Sequence, residues 1–213
     1  MLNKEGGIAA MPLLREVLAV MPDHDEANYR LGEALLCEGD ETGIKHIEAA
    51  LEKQVHGIPS GCDLIIEFLV ARERDEEADK YRDCVANYWD LVKLGQNERQ
   101  NISKRDSFEP HGLTVEALDE LREQFANFPL LSSALLVRKV CEHFPEDPCF
   151  VLGVMAKRQF GLQLDSIDQK LIEQLAENVN LPEYTYIIPL EGKNKPLRKI
   201  FKRIEGAAIY RRG

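Results

Sequence analysis

The feature that most constrains this chain is a pair of short helices marked by small residues at fixed places. The string Asn28-Tyr29-Arg30-Leu31-Gly32-Glu33-Ala34-Leu35 has helical apolar spacing, with a glycine in the middle of its apolar face. Gly39-Asp40 then supplies turn chemistry, and Gly43, Ile47 and Ala50-Leu51 set small, large and small residues along a second helix. Glycine weakens a helix interior, so its use there calls for a packing reason. Small residues at Gly43 and Ala50 let two antiparallel helices approach closely, and the large Ile47 fills the gap between them.

The pattern recurs on both sides. Upstream, Ala10, Leu14 and Val17 take the small, large, small positions of a second helix that Pro22 terminates, and Asp23 or Asp25 can cap the next. Ala10 and Gly43 are 33 residues apart. Downstream, Ile66, Val70, Arg74-Asp75, Ala78 and Arg82 echo Leu31, Leu35, Gly39-Asp40, Gly43 and Ile47 at an offset of 35. The last helix runs long, through Tyr88, Trp89 and Leu94 toward Arg99, as a capping helix of a helical stack does. The Leu-Gly pair, the turn and the near-34 period resemble the tetratricopeptide repeat. Two departures stand out: the turn is one residue short, and Asn28 sits where the family has an aromatic anchor. The resemblance implies a concave face lined by the first helix of each pair. On this sequence the groove positions are Glu26, Tyr29, Glu33, Leu36 and Cys37, then Leu64, Phe68 and Arg72. Glu26 and Glu33 stand where a clamp for C-terminal carboxylates would need positive charge, which argues against that class of ligand.

After a polar run at 97–110 the pattern changes. Thr114 is positioned to cap a helix carrying Leu118, Leu121 and Phe125. Two apolar runs, Ala134 to Cys141 and Cys149 to Ala156, flank Pro145-Glu146-Asp147-Pro148 and predict a hairpin. Ile167, Leu171, Ile172 and Leu175 give a helix, Tyr184 to Ile188 a strand, Pro196 to Ile204 a short basic helix and Ala207 to Tyr210 a last strand. We therefore expect α-helical tetratricopeptide-like repeats over residues 1–100, followed by a small α+β domain over residues 107–213.

Charge divides the chain of 213 residues unevenly. Residues 1–106 carry 13 basic against 22 acidic side chains, residues 107–192 carry 6 against 14, and residues 193–213 carry 8 against 1. An acidic body disfavours specific nucleic-acid binding. The basic tail, with Lys193, Lys195, Arg198, Lys199, Lys202 and Arg203, could make weak contact with an anionic surface. Five cysteines without a CxxC pair suggest neither a disulfide framework nor a zinc knuckle but small buried side chains in a reducing compartment. There is no apolar segment of membrane-spanning length and no secretory h-region in Met1–Gly7, so the expected location is the cytoplasm or the cytoplasmic face of a membrane. HExxH, G-x-S-x-G, the Walker loop and GxGxxG are absent. His24, His46, His56, His111 and His143 are scattered, so no catalytic residue, metal ligand or cofactor is assigned.

Several strings also carry a wider likeness: Leu31-Gly32 to Leu51, Phe108-Glu109-Pro110-His111-Gly112-Leu113, Leu136-Val137-Arg138-Lys139, and Pro189-Leu190-Glu191-Gly192 before the basic end. They resemble the region after the catalytic domain in bacterial membrane metalloproteases related to CAAX prenyl proteases. That resemblance implies a non-catalytic, accessory part that recruits protein or peptide segments. The competing expectation is a small enzyme with a site near His111, Glu142 and His143.

Overall fold

The computed structural model describes residues 4–157 and 164–212. The chain divides into two compact units, Met1–Val92 and Lys93–Gly213. Met1–Asn3 and the side chain of Ile167 lie outside the described set.

The first unit is helical: α1 (Lys4–Val20), α2 (Asp25–Cys37), α3 (Gly43–Leu51), α4 (Ile58–Val70) and the greater part of α5 (Asp75–Gln100). The cap of α2 is neither Asp23 nor Asp25. It is His24, whose Nδ1 accepts from the Ala27 N–H at 3.3 Å, and Asp25 is the first helical residue. The helices α2 and α3 approach closely at Gly32 and Gly43. A Cβ on Gly32 would sit 2.8 Å from the Gly43 carbonyl oxygen, and one on Gly43 would sit 2.6 Å from that of Gly32. Only hydrogen side chains admit such an approach. Leu36, Ile47, Cys62, Ile65, Phe68, Leu69, Ala78 and Tyr81 form the core of this unit.

The downstream register differs from the one expected. Ile65, Leu69 and Tyr81 are buried, each 34 residues after Leu31, Leu35 and Ile47, whereas Val70 is 41% exposed and Arg82 is also exposed. The turns agree with an offset of 34. Gly39 has φ 87° and Glu73 has φ 59°, and the N–H of Asp40 and of Arg74 donates to Leu35 and Leu69 respectively. An offset of 35 aligned polar turn residues while rotating the α4 face by one position, or about 100°. The expected break at 97–110 also moves, because α5 continues through Gln100.

The second unit builds a mixed sheet from β1 (Phe108–Pro110), β2 (Leu131–Lys139), β3 (Phe150–Ala156), β4 (Thr185–Pro189) and β5 (Ala208–Arg211), with helices α6 (Val115–Ala126), α7 (Leu164–Asn178) and α8 (Lys195–Phe201). The short strand β1 has no counterpart in the sequence reading. β2 and β3 form the expected antiparallel hairpin, β3 and β4 are parallel, and β1 and β5 share the other edge of β2. Alternation along β2 sends Ala134 and Leu136 to one face and Leu135 and Val137 to the other. The first face packs on Leu121 and Phe125 of α6 and Leu171 and Leu175 of α7. The second packs on Leu197 and Phe201 of α8. Both faces are covered, which is why β2 and β3 read as continuous apolar runs. Gly153 fits this design: a Cβ there would lie 2.5 Å from the Leu190 side chain. The β1-α6-β2-β3-α7-β4-α8-β5 order makes this a small three-layer unit of helices on both faces of a mixed sheet. Among the described residues no helix is long and apolar enough to cross a membrane.

Candidate functional site

In the helical unit the expected groove residues separate into two groups. Leu36 and Phe68 are buried in the core. Their side chains contact neighbouring helices, which corrects their reading as groove lining: Leu36 packs on Gly43, and the Arg72 guanidinium lies 3.6 Å over the Phe68 ring. Arg72 also donates to the carbonyls of Phe68 and Gly39, at 3.1 and 3.3 Å, so it fastens the end of α4 to the turn after α2. Tyr29 and Leu64 are half-buried at the margin of the core, Glu33 is half-buried, and Glu26 and Cys37 are exposed.

Tyr29 is the centre of the second group. Burial first, then the carboxylates of Glu33, Glu26 and Asp63, hold its hydroxyl proton above the ordinary tyrosine range, while Arg30 opposes them. Arg30 bridges two of these acids, with Nε 2.8 Å from Glu26 and Nη1 3.4 Å from Glu33. Asp63, which the sequence reading did not single out, has no counter-ion of this kind among the described residues. The surface therefore offers a phenol on an apolar shoulder, bordered by more acid than base.

Asn28 is a polar anchor at the start of α2. It is buried, its Nδ2 donates to the carbonyls of Pro22 and His24 at 2.8 and 3.1 Å, and its Oδ1 lies 2.8 Å from His46 Nδ1. His46 is thereby tied to Asn28, whereas His56 Nδ1 lies 3.3 Å from the Tyr88 hydroxyl.

The residues named for a competing catalytic site have structural partners. His111 Nδ1 accepts from the Leu113 N–H at 2.9 Å, which leaves Nε2 to donate to the Gly206 carbonyl at 3.3 Å. His143 Nδ1 lies 3.0 Å from Glu98 Oε2, and Glu98 also accepts from the backbone N–H of Glu142 and His143. Burial alone raises the Glu98 carboxyl, but these donors outweigh it and hold the group down at about 2. The neighbouring Arg99 donates to the carbonyls of His143, Phe144 and Asp147. Buried Lys139 donates to the Glu98 and Asn101 carbonyls and pairs with Asp106 at 3.0 Å. This polar cluster fastens the hairpin loop to the residues just before β1. Cys141 and Cys149 beside it are buried, and burial pushes the Cys149 thiol up to about 12.

A concave feature of the sheet unit was not visible in sequence. A cavity of about 900 Å³ opens on the sheet unit, beside β2, the end of β3, α8 and β5. Arg198 and Lys202, both from the basic tail, line it together with Lys157, Arg211 and Arg212. The remaining basic-tail residues, Lys193, Lys195, Lys199 and Arg203, are outside its lining. No family model, no curated protein and no solved structure matches this chain.

Proposed function

We propose that the helical unit is a tetratricopeptide-type interaction module that holds a basic protein or peptide segment against the α2–α4 surface around Tyr29. The observation that carries this reading is the half-buried Tyr29, flanked one turn before and one turn after it on α2 by Glu26 and Glu33, with Asp63 of α4 near enough to raise its proton affinity. A tyrosine ring supplies contact area at low entropic cost, and the acids select lysine or arginine over a terminal carboxylate. The Gly32–Gly43 approach and the offset of 34 between buried positions support the repeat reading. Nucleic acid is not the proposed partner, given a net charge of −10.

The test is fluorescence anisotropy with labelled peptides rich in lysine and arginine, against acidic peptides of equal length. Saturable binding of a basic peptide is expected, weakened at least about tenfold by Tyr29→Ala or by Glu33→Lys with Asp63→Lys. Equal binding of both peptide sets, or no loss in the variants, rejects the proposal. Phe68→Ala is unsuitable as a probe because it would open the core.

On the wider resemblance, we propose that the chain serves as the accessory, non-catalytic part of a zinc metalloprotease at the cytoplasmic face of a membrane. Its support is the set of strings from Leu31-Gly32 to Pro189-Leu190-Glu191-Gly192. A reading frame in which no HExxH domain precedes this sequence would remove that second reading and leave the first intact.

A further inference from the structure

We propose that the cavity on the sheet unit is a binding site for a phosphate group, as a phosphomonoester or diphosphate, carried on an apolar or aromatic body.

Charge is the first argument. Five cations line the cavity against one carboxylate, Glu191, in a chain that is otherwise strongly acidic. Two of the five are already engaged. Arg198 pairs with Glu191 at 3.2 Å, and Arg212 donates to the carbonyls of Leu131, Ala126 and Phe128. Lys157, Lys202 and Arg211 are exposed and have no ion-pair partner among the described residues. Concentrating three unpaired cations at one hollow costs folding free energy through mutual repulsion, which a bound polyanion would reverse. A carboxylate would neutralise one of them; a phosphate dianion or diphosphate matches the set. Arginine offers paired N–H donors for such a group and lysine a mobile point charge.

Construction is the second argument. The rim is set by backbone hydrogen bonds, Lys157 N–H to the Leu130 carbonyl at 2.8 Å and Arg212 N–H to the Ser132 carbonyl at 2.9 Å. β2 breaks register twice here, between Leu131 and Ser133 against β3 and between Ala134 and Leu135 against β5. Irregularities of this kind re-aim side chains and concentrate beside sites. Ser132 and Ser133, at the first of these breaks, are in the lining and add two hydroxyls that can donate to phosphoryl oxygens.

The floor is the third argument. Leu135, Met155, Ile204 and Ala207 line the same cavity. Its volume of about 900 Å³ greatly exceeds that of a bare phosphate ion and suits a small organic molecule. A cationic rim over an apolar floor favours an amphipathic ligand, with the phosphate at the mouth. The same chemistry is found in a phosphorylated metabolite and in a phosphorylated lipid headgroup, and the experiment separates them.

Isothermal titration of the full chain at low salt would use phenyl phosphate, inorganic phosphate and pyrophosphate as probes. A parallel arm would measure sedimentation with vesicles containing a phosphoinositide, against vesicles matched in charge by phosphatidylserine. Expected is saturable one-to-one binding of phenyl phosphate, tighter than inorganic phosphate. Lys202→Ala with Arg211→Ala should weaken it at least about tenfold, since each replaces a charge-assisted hydrogen bond. Ala208→Trp, which fills the cavity from the exposed edge of β5 without changing charge, should weaken it similarly. Lys104→Ala with Arg105→Ala, exposed cations outside the lining, should leave it unchanged. Phosphoinositide-selective sedimentation sensitive to the same variants would locate the phosphate on a lipid; its absence alongside phenyl phosphate binding would locate it on a soluble ligand. No saturable binding in either arm overturns the proposal. So does binding that the remote pair reduces as much as the cavity pair.

Discussion

Glu98 Oε2 lies 3.0 Å from Nδ1 of His143, and the same carboxylate accepts the backbone N–H groups of Glu142 and His143. Its carboxyl is held at about 2 against an ordinary value of 4.5. Because the folded value is the lower one, the contribution is fully present above pH 4.5 and is lost as pH falls from 4.5 toward 2. Glu98 is half-buried, so solvent screening brings the contribution below the roughly 3 kcal/mol that the full shift would carry. Urea denaturation at pH 7, 4 and 3 should show this loss. Glu98→Gln should start lower at pH 7 and lose less on acidification; equal slopes in both proteins would refute the assignment.

His46 gives a second pH dependence, in another window. Burial, followed by the nearby Arg15 charge, lowers its pKa below 6.5. The folded protein keeps the ring neutral at a pH where the unfolded chain has protonated it. Stability therefore rises with pH through the region just below 6.5 and falls as pH drops toward the depressed folded value. NMR titration of the His46 ring should give a midpoint below that of a denatured reference. In Asn28→Ala the ring loses its 2.8 Å partner, and the Pro22 and His24 carbonyls lose their donor, so destabilisation of about 1–3 kcal/mol is expected.

How much of this was legible in the sequence depends on which kind of contact each residue makes. Gly43 and Ala50 on either side of Ile47 declared a close helix pair, although only the folded chain shows that Gly32 is what meets Gly43. The β2–β3 hairpin was legible because two strands buried on both faces leave uninterrupted apolar runs around a proline-rich turn. The α4 register was misread by one residue because Ile65-Ile66 and Leu69-Val70 are apolar pairs, and period alone does not choose within a pair. β1 escaped because three residues carry no alternation to read. The Glu98–His143 pair, and the cavity gathering Lys157 with Arg211, join residues whose proximity only the folded chain creates, and no local pattern records it.

Gly32→Val should be among the most damaging single changes in the helical unit. Its Cβ would meet the Gly43 carbonyl oxygen at 2.8 Å, and backbone cannot swing away as a side-chain tip can. Overpacking of this kind costs about 1–3 kcal/mol, set against a small gain in helix propensity. The denaturant midpoint should fall while the dependence on denaturant concentration stays constant. An unchanged midpoint would mean that α2 and α3 do not meet at these glycines.

The five thiols should separate by reactivity. Cys62 and Cys149 are buried, and burial raises each to about 12, so neither holds a useful thiolate fraction at neutral pH. Cys37 is exposed near the C-terminal end of α2, on the side of the proposed groove. Brief treatment of the native chain with iodoacetamide, followed by peptide mass spectrometry, should label Cys37 first and leave Cys62 and Cys149 unmodified until the chain is unfolded. If the modified Cys37 lowers affinity for a basic peptide while leaving the unfolding free energy within about 0.5 kcal/mol, as expected for an exposed site, that places the ligand beside α2. Labelling of Cys149 at the same rate as Cys37 would instead mean that the β2–β3 loop opens readily, and that Glu98 and Arg99 do not hold it closed.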